Sequence, residues 1–195
     1  MFAIHPRPKS AAKYYTQVKD KISDFGRNPD DCAILFGAQP IIGTSETEAL
    51  EKQEEHNELV PSEGGMAILS GHLNFDLSKL SPDDEMMSRD EPELRRSRRI
   101  YQKDNGDSMT VREVARRHGQ SVSLPQFVGT AKSVADQLEA FFDEVGGDGF
   151  MLSPIYCPGA IEEFVDLVIP ELQRRGRFRT AYTGNTQRDH LRQID

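Results

Sequence analysis

The sequence predicts an α/β protein built on parallel strands. Two nearly continuous apolar runs carry that reading, Cys32 to Ile42 and Phe150 to Tyr156. Such runs, apolar at successive positions, suit strands buried on both faces, as in parallel sheets. Between and beyond them, apolar residues recur every three or four positions, the period of helices packed by one face. Strands alternating with helices imply crossover connections and hence parallel pairing.

The elements follow in order. Met1 to Ile4 is an apolar stub that stops at the turn Pro6-Arg7-Pro8 and reads as the end of a strand. A helix is expected from Ser10 to Phe25, with Ala11, Tyr14, Val18, Ile22 and Phe25 on one face. Gly26 stops it, and Asn28-Pro29-Asp30 turns the chain into the first buried strand. After Gly43-Thr44-Ser45, the spacing of Ser45 and Glu48 matches a capping box for a helix reaching about Leu59. Residues 61–108 carry prolines, glycines, acidic clusters and the basic run Arg95-Arg96-Ser97-Arg98-Arg99, which reads as an insertion or lid. Within it, 65–73 is apolar enough to pack, while 80–108 is expected to be the least ordered internal stretch, with trypsin cutting first near Arg95 to Arg99. Thr110 and Glu113 cap a short helix to His118, closed by Gly119. A stronger helix spans about Thr130 to Val145, with Val134, Leu138, Phe141 and Val145 as its stripe. Gly146-Gly147-Asp148-Gly149 breaks it before the strand at 150–156. A last helix, Ala160 to about Arg175, is interrupted by Pro170 and leads to a polar tail. Two strands and a stub do not make a self-sufficient parallel sheet, so the sequence looks like one end of a larger fold.

Composition narrows the function classes. The 195 residues carry a net charge of −8, against the basic face of a nucleic-acid binder. No run approaches the ~18–20 apolar residues that cross a bilayer, and residues 1–25 hold no signal-peptide core. A cytoplasmic protein without nucleic-acid or membrane partners is therefore expected. Cys32 and Cys157 form neither a metal spacing nor a disulfide framework, and no His, Cys and carboxylate grouping suits a metal. Thr110 to Gly119 reads like the first helix of a helix-turn-helix, but Pro125 intervenes before the next helical pattern. Gly146, Gly147 and Gly149 precede a strand, whereas a dinucleotide fingerprint follows one.

The last third carries a family pattern: Val128-Gly129-Thr130 opening a helix, Gly146 to Leu152, Phe164 to Gly176, Phe178-Arg179-Thr180, Tyr182, Gly184, Thr186 and Arg188 to Leu191. Upstream, Phe25 to Asp30 and Pro40 to Thr44 fit it too. The chain resembles the C-terminal part of the bacterial-luciferase-like FMN-dependent monooxygenases, in the branch of nitrilotriacetate monooxygenase component A, dibenzothiophene-sulfone monooxygenase and long-chain alkane monooxygenase. The resemblance implies the C-terminal portion of a (β/α)8 TIM barrel. Residues 1–4 would end strand six, 32–42 would be strand seven and 150–156 strand eight, followed by the terminal helix. Residues 61–108 would be a lid-like insertion over the mouth of one partial domain, 1–195. The implied chemistry is two-component: an NAD(P)H:FMN reductase supplies reduced FMN, and the monooxygenase inserts one oxygen atom from O2 into a small organic substrate. The protein's part is to position the flavin and exclude water. Since most flavin contacts in this family lie upstream of strand six, the implied alternative is a non-catalytic remnant or a subunit complementing a partner, and FMN binding by this chain alone is expected to be weak. A homo-oligomer is also compatible with the resemblance.

Barrel active sites lie at the C-terminal ends of the strands. There the resemblance points to Gly37, Gln39 and Thr44 on strand seven and to Ser153 and Tyr156 on strand eight. Gln39, Thr44 and Ser153 are expected to face substrate. Related sulfonate-degrading members carry charged or imidazole groups near the first two positions, so Gly37 and Gln39 argue against an anion clamp. The Tyr156 phenol either hydrogen-bonds substrate or flavin, or only packs at a strand end. His72 is either a proton donor carried by the lid or a surface histidine. The arginine run reads as an anion-attracting lid, a basic targeting or nucleic-acid patch, or a solvated loop balanced by nearby carboxylates.

Overall fold

The structure, a computed structural model, describes residues 1–88, 90–95 and 107–192. Residues 96–99 of the arginine run lie outside them. In chain order the elements are β1 (Phe2–Ala3), α1 (Pro8–Asp24), β2 (Leu35–Ile42), α2 (Glu46–Glu58), α3 (Ser62–Leu73), α4 (Pro92–Arg95), α5 (Val111–Ser121), β3 (Gln126–Gly129), α6 (Ala131–Val145), β4 (Gly149–Leu152), α7 (Gly159–Glu163), a π-helical turn (Phe164–Val168), α8 (Ile169–Arg174) and α9 (Gln187–Arg192). They form two compact units, 1–53 with 124–195, and 54–123.

The first unit is built on β2. It pairs in parallel with β1 at Leu35 and Phe36, with β3 from Gln39 to Ile42, and with β4 from Leu35 to Ala38. The strands read as seven and eight are thus parallel neighbours. Two differences from the sequence reading have local causes. The segment Gln126–Gly129, read only as the approach to a helix, is a strand, because its amides and carbonyls are taken up by the second half of β2. The strand read over 150–156 stops at Leu152: its last bond to β2 runs from the Ser153 amide to the Ala38 carbonyl, and the next β2 donor toward β4 would be residue 40, a proline with no N–H. Pro40 is tolerated inside β2 for a related reason. The Gln39 and Gly43 amides donate toward β3, so the amide position of residue 40 points away from it, beyond the β4 register that ends at Ala38.

One face of the sheet is the core. Phe36, Ala38, Ile42 and Phe127 pack there with Ala11 of α1, with Val134, Leu138, Phe141 and Val145 of α6, and with Phe164, Val168 and Leu172. Alternation places Gln39, Ile41, Gln126, Val128, Met151 and Ser153 on the other face. The final helix is not simply broken at Pro170. A π-helical turn at Phe164–Val168 widens the spiral just before the proline, which then sits in the first turn of α8, where a missing N–H costs little. Arg175 binds Asp136, Glu139 and Glu171, and Arg177 binds Glu139 and Asp143, tying the end of α8 to α6.

The second unit is a small helical body. Leu69, Leu77, Met86, Leu94, Val111 and Val114 form its core. Helices α3 and α5 meet backbone to backbone: a Cβ on Gly65 would lie 2.2 Å from the Ala115 carbonyl oxygen. Helix α5 begins in the full capping box of Thr110 and Glu113. It runs past Gly119 to Ser121, because the left-handed turn that ends it falls on Val122 and Ser123 (φ 52° and 64°). A strand follows, not a recognition helix, which removes the helix-turn-helix. Among the described residues no helix is long and apolar enough to cross a membrane.

Candidate functional site

The loops leaving β2 and β4 converge on one polar network. Gly43 ends β2 and has no room for a side chain, since a Cβ would sit 2.5 Å from the Ala49 amide nitrogen. The tight turn brings Glu48 back to Thr44: its Oε2 accepts from the Thr44 amide at 2.8 Å and from the Thr44 hydroxyl. These bonds hold the Glu48 carboxyl below the usual glutamate range. Ser45 caps the Glu48 amide at 3.1 Å, as the sequence spacing implies. One turn on, Lys52 Nζ donates to the Ile42 carbonyl (2.9 Å) and to Glu163 Oε1 (2.9 Å), and lies 3.5 Å from Glu48. Burial weighs against this charge, but Glu163 outweighs it, and the ammonium holds its proton more tightly than an ordinary lysine. Tyr156, in the turn after β4, donates its hydroxyl to the same Glu163 oxygen at 3.0 Å. Desolvation and that bond push its phenol up. The phenol is therefore oriented and reluctant to ionise, fit to hold a hydrogen bond rather than to release a proton at neutral pH. Thr44 and Tyr156 thus meet in one network through Glu48, Lys52 and Glu163; the sequence reading named Glu48 only as a helix cap, and Lys52 and Glu163 not at all. The i,i+4 spacing of Glu48 and Lys52 behind a capping serine was the available signal; Glu163 had none.

Gln39 and Ser153 share the sheet face opposite the core. Gln39 is 5% exposed. Its Oε1 accepts from Gln126 Nε2 at 2.7 Å, and Gln126 Oε1 accepts from Gln53 Nε2 at 2.7 Å, giving a chain of three amides. Gly37 is not open to a ligand, for Leu124 and Phe2 fill the space beside it. At the same end of the sheet, the α6 N-terminus is occupied: Thr130 donates its amide (3.2 Å) and hydroxyl (3.0 Å) to Glu46. An anion binding there would meet that carboxylate first.

His72 lies elsewhere, in the second unit. It is exposed on α3, and its Nδ1 lies 2.8 Å from Nε2 of buried His118, whose Nδ1 is 3.2 Å from Ser123 Oγ. Burial first, and the neighbouring His72 second, push the His118 pKa down to about 4. Two ring nitrogens this close share one proton, so the pair is stable with His118 neutral. Among the described residues no group of three His, Cys, Asp or Glu side chains is placed to hold a metal.

No protein-family model matches the chain. Individual relatives do. It is 35% identical over 197 residues to dibenzothiophene-sulfone monooxygenase of Rhodococcus erythropolis, covering 98% of this chain and 44% of the relative. It is 36% identical over 183 residues to nitrilotriacetate monooxygenase component A of Aminobacter aminovorans, covering 91% and 40%. The crystal structure of DmoA from Hyphomicrobium sulfonivorans superposes with a TM-score of 0.85 at 30% identity, covering 100% of this chain and 41% of that one. The chain spans less than half the length of the curated relatives it matches. On this end-to-end similarity in sequence and in fold, the chain belongs to the luciferase-like monooxygenases, in the branch of the dibenzothiophene-sulfone and nitrilotriacetate enzymes.

Proposed function

We propose that the chain supplies one arc of a (β/α)8 barrel in a two-component flavin monooxygenase: β1 as the end of strand six, β2 as strand seven, β4 as strand eight, and the α7–α8 stretch as the terminal helix. Residues 61–108 then act as the insertion over the barrel mouth. The observation that carries this reading is the match of nearly the whole chain to monooxygenases, joined to a parallel β2–β4 pair whose core face packs on α1, α6 and the α7–α8 stretch. The other face becomes the inside of the barrel, and the Thr44–Tyr156 network lies at the end where barrel chemistry occurs.

The described residues fit part of a flavin site and not the whole. The sheet face offers an apolar wall with Gln39 and Ser153 upon it. A cradle for the flavin phosphate is lacking among them, since the α6 N-terminus already receives Glu46. Bound there, reduced FMN would supply the two electrons by which one atom of O2 enters a small organic substrate and the other leaves as water. The chain's own residues close one side of that space, orient Tyr156 through Glu163, and exclude water. Reduced FMN comes from an NAD(P)H:FMN reductase. A non-catalytic remnant, or a subunit completing a barrel with a partner, is the second reading, favoured by the Glu46 carboxylate that already occupies the α6 N-terminus. The test co-expresses the chain with the part of the Rhodococcus relative that it does not cover, adds an FMN reductase and NADH, and supplies 18O2 with dibenzothiophene sulfone. One labelled oxygen in the product is expected. Assembly of a soluble complex that never incorporates label supports the remnant reading instead.

A further inference from the structure

The loops leaving β2 and β4 end in hydroxyls whose protons are already committed. Thr44, exposed at the end of β2, donates its hydroxyl to Glu48 Oε2. Tyr156, 46% exposed after β4, donates its hydroxyl to Glu163 Oε1 at 3.0 Å. An ionised carboxylate only accepts, so both bonds have a single possible direction, and each hydroxyl oxygen faces a ligand with lone pairs alone. Lys52 has no donor to spare either. Its ammonium serves the Ile42 carbonyl, Glu163 and Glu48, at 2.9, 2.9 and 3.5 Å. Glu163 has the opposite surplus: both of its bonds fall on Oε1, its side chain is 30% exposed, and Oε2 has no partner among the described residues. Two carboxylates on one ammonium also leave the network negative.

We infer that Tyr156 and Glu163 bind a primary ammonium group on a small organic ligand, and that Lys52 is the residue that positions Glu163 against Tyr156. An ammonium offers three N–H donors to match the Tyr156 oxygen and the free Glu163 oxygen. The exposed ring of Tyr156 adds attraction for a cation. A carboxylate or a ketone oxygen meets no side-chain donor in this network, loses its water and faces negative charge, so such groups are turned away. Lys52 is itself fixed by the Ile42 carbonyl of β2 and by Glu48, which is bound to the Thr44 amide. It thereby passes the rigidity of the strand end to Glu163, whose side chain has only Lys52 and Tyr156 to hold it. That the ammonium belongs to the substrate rests on the proposed barrel reading; the binding itself does not.

The experiment titrates the 195-residue chain, carrying 13Cζ-labelled tyrosine and a 15N-labelled backbone, and reads the Tyr156 ring and the amides around Glu163. Three probes of one shape are used: benzylammonium, benzyltrimethylammonium and benzoate. Benzylammonium should shift Tyr156 and Glu163 saturably at millimolar concentration. The trimethyl form keeps the charge but has no N–H, and should bind at least about tenfold more weakly, the loss of one charged hydrogen bond. Benzoate should leave both residues unmoved. Glu163→Gln sets an amide where the free carboxylate oxygen stood. It should weaken benzylammonium about tenfold and bring the raised Tyr156 phenol down toward about 10. Lys52→Met separates positioning from charge. With its anchor gone, Glu163 turns to water, so the phenol falls toward about 10. Benzylammonium then binds at least about fivefold more weakly, although the network has become more negative. The charged groups acting on the Tyr156 hydroxyl are Lys52 of α2 and Glu162 and Glu163 of α7. If Lys52 were only a charge among them, its removal would raise the phenol further and tighten the ammonium. That result overturns the inference, as does equal binding of the two cations, no shift with benzylammonium, or benzoate binding at Tyr156. Should Lys52→Met fail to fold, the three probes and Glu163→Gln still decide. No flavin enters these measurements, so ammonium binding by a chain whose complex never incorporates labelled oxygen would refute the monooxygenase reading alone.

Discussion

Asp148 sits in the glycine-rich turn before β4 and holds three elements at once. Its Oδ1 accepts the Tyr15 hydroxyl of α1 at 2.9 Å. Its Oδ2 accepts the Ile34 amide at the start of β2 (2.8 Å) and pairs with Lys19 of α1 at 3.0 Å. Only 12% of the side chain is exposed. Asp148→Ala strands a buried amide and a half-buried phenol. Lys19 is hurt less, because it still donates to the carbonyls of Pro29 and Cys32. Unsatisfied groups of this kind cost about 1–3 kcal/mol each, less where water can enter, so a total of about 3 kcal/mol is expected. For a unit of roughly 120 residues, an unfolding entropy near 0.25 kcal/mol/K converts this to a fall of about 10 °C in the melting temperature. Asp148→Asn retains two acceptor contacts through its oxygen and loses the charge, so a fall of about 3–5 °C is expected. Thermal melts followed by circular dichroism measure both. A loss under 2 °C for Asp148→Ala would refute the assignment of Asp148 as the tie between α1, β2 and β4.

Gly65→Ala forces a methyl group against the Ala115 carbonyl oxygen; a loss of about 1–3 kcal/mol, seen as earlier hydrogen exchange confined to α3 and α5, is expected. Hydrogen bonds from Arg174 and Arg175 hold the Glu171 carboxyl down to about 2, from an ordinary value of 4.5. Its contribution is fully present above 4.5 and is lost as pH falls through about 2, so acid should loosen α8, and Glu171→Gln should remove that acid dependence in the α8 amide resonances. His118, with its pKa lowered to about 4 from 6.5, resists the proton that its unfolded form accepts. The second unit should therefore lose stability as pH falls from about 6.5 toward 4, and an NMR titration should show His118 still neutral at pH 5.5. His72→Gln should raise the His118 value only in part, because burial is the larger cause.

The parallel strands were legible because β2 is apolar at almost every position, and α6 because its stripe repeats at helical spacing. What escaped were features that depend on distant partners. Gln126-Phe127-Val128-Gly129 is too short to announce a strand, and becomes one only by pairing with Gln39 to Ile42. Asp148 looked like a helix breaker because its partners lie 114 and 133 residues away. Gln39, Thr44, Ser153 and Tyr156 could be proposed for the site only because the family resemblance places them at barrel strand ends. Their chemistry could not, since it is set by Glu163 and Lys52, 111 residues apart, and by the amides of Gln126 and Gln53. His72 was visible as a histidine, but its neighbour His118 stands 46 residues away on another helix.

The central claim is that these residues form one wall of a flavin site. The direct measurement is a fluorescence-quenching titration of FMN against the purified chain and against its complex with the uncovered part of the Rhodococcus relative. A flavin pocket must enclose most of the ring and cradle the phosphate, and the described strands supply one arc. The chain alone should bind with a Kd above about 100 μM and the complex near 1 μM, a difference of about 2.7 kcal/mol. A Kd near 1 μM for the chain alone, with substrate oxidation when a flavin reductase is added, would contradict the claim.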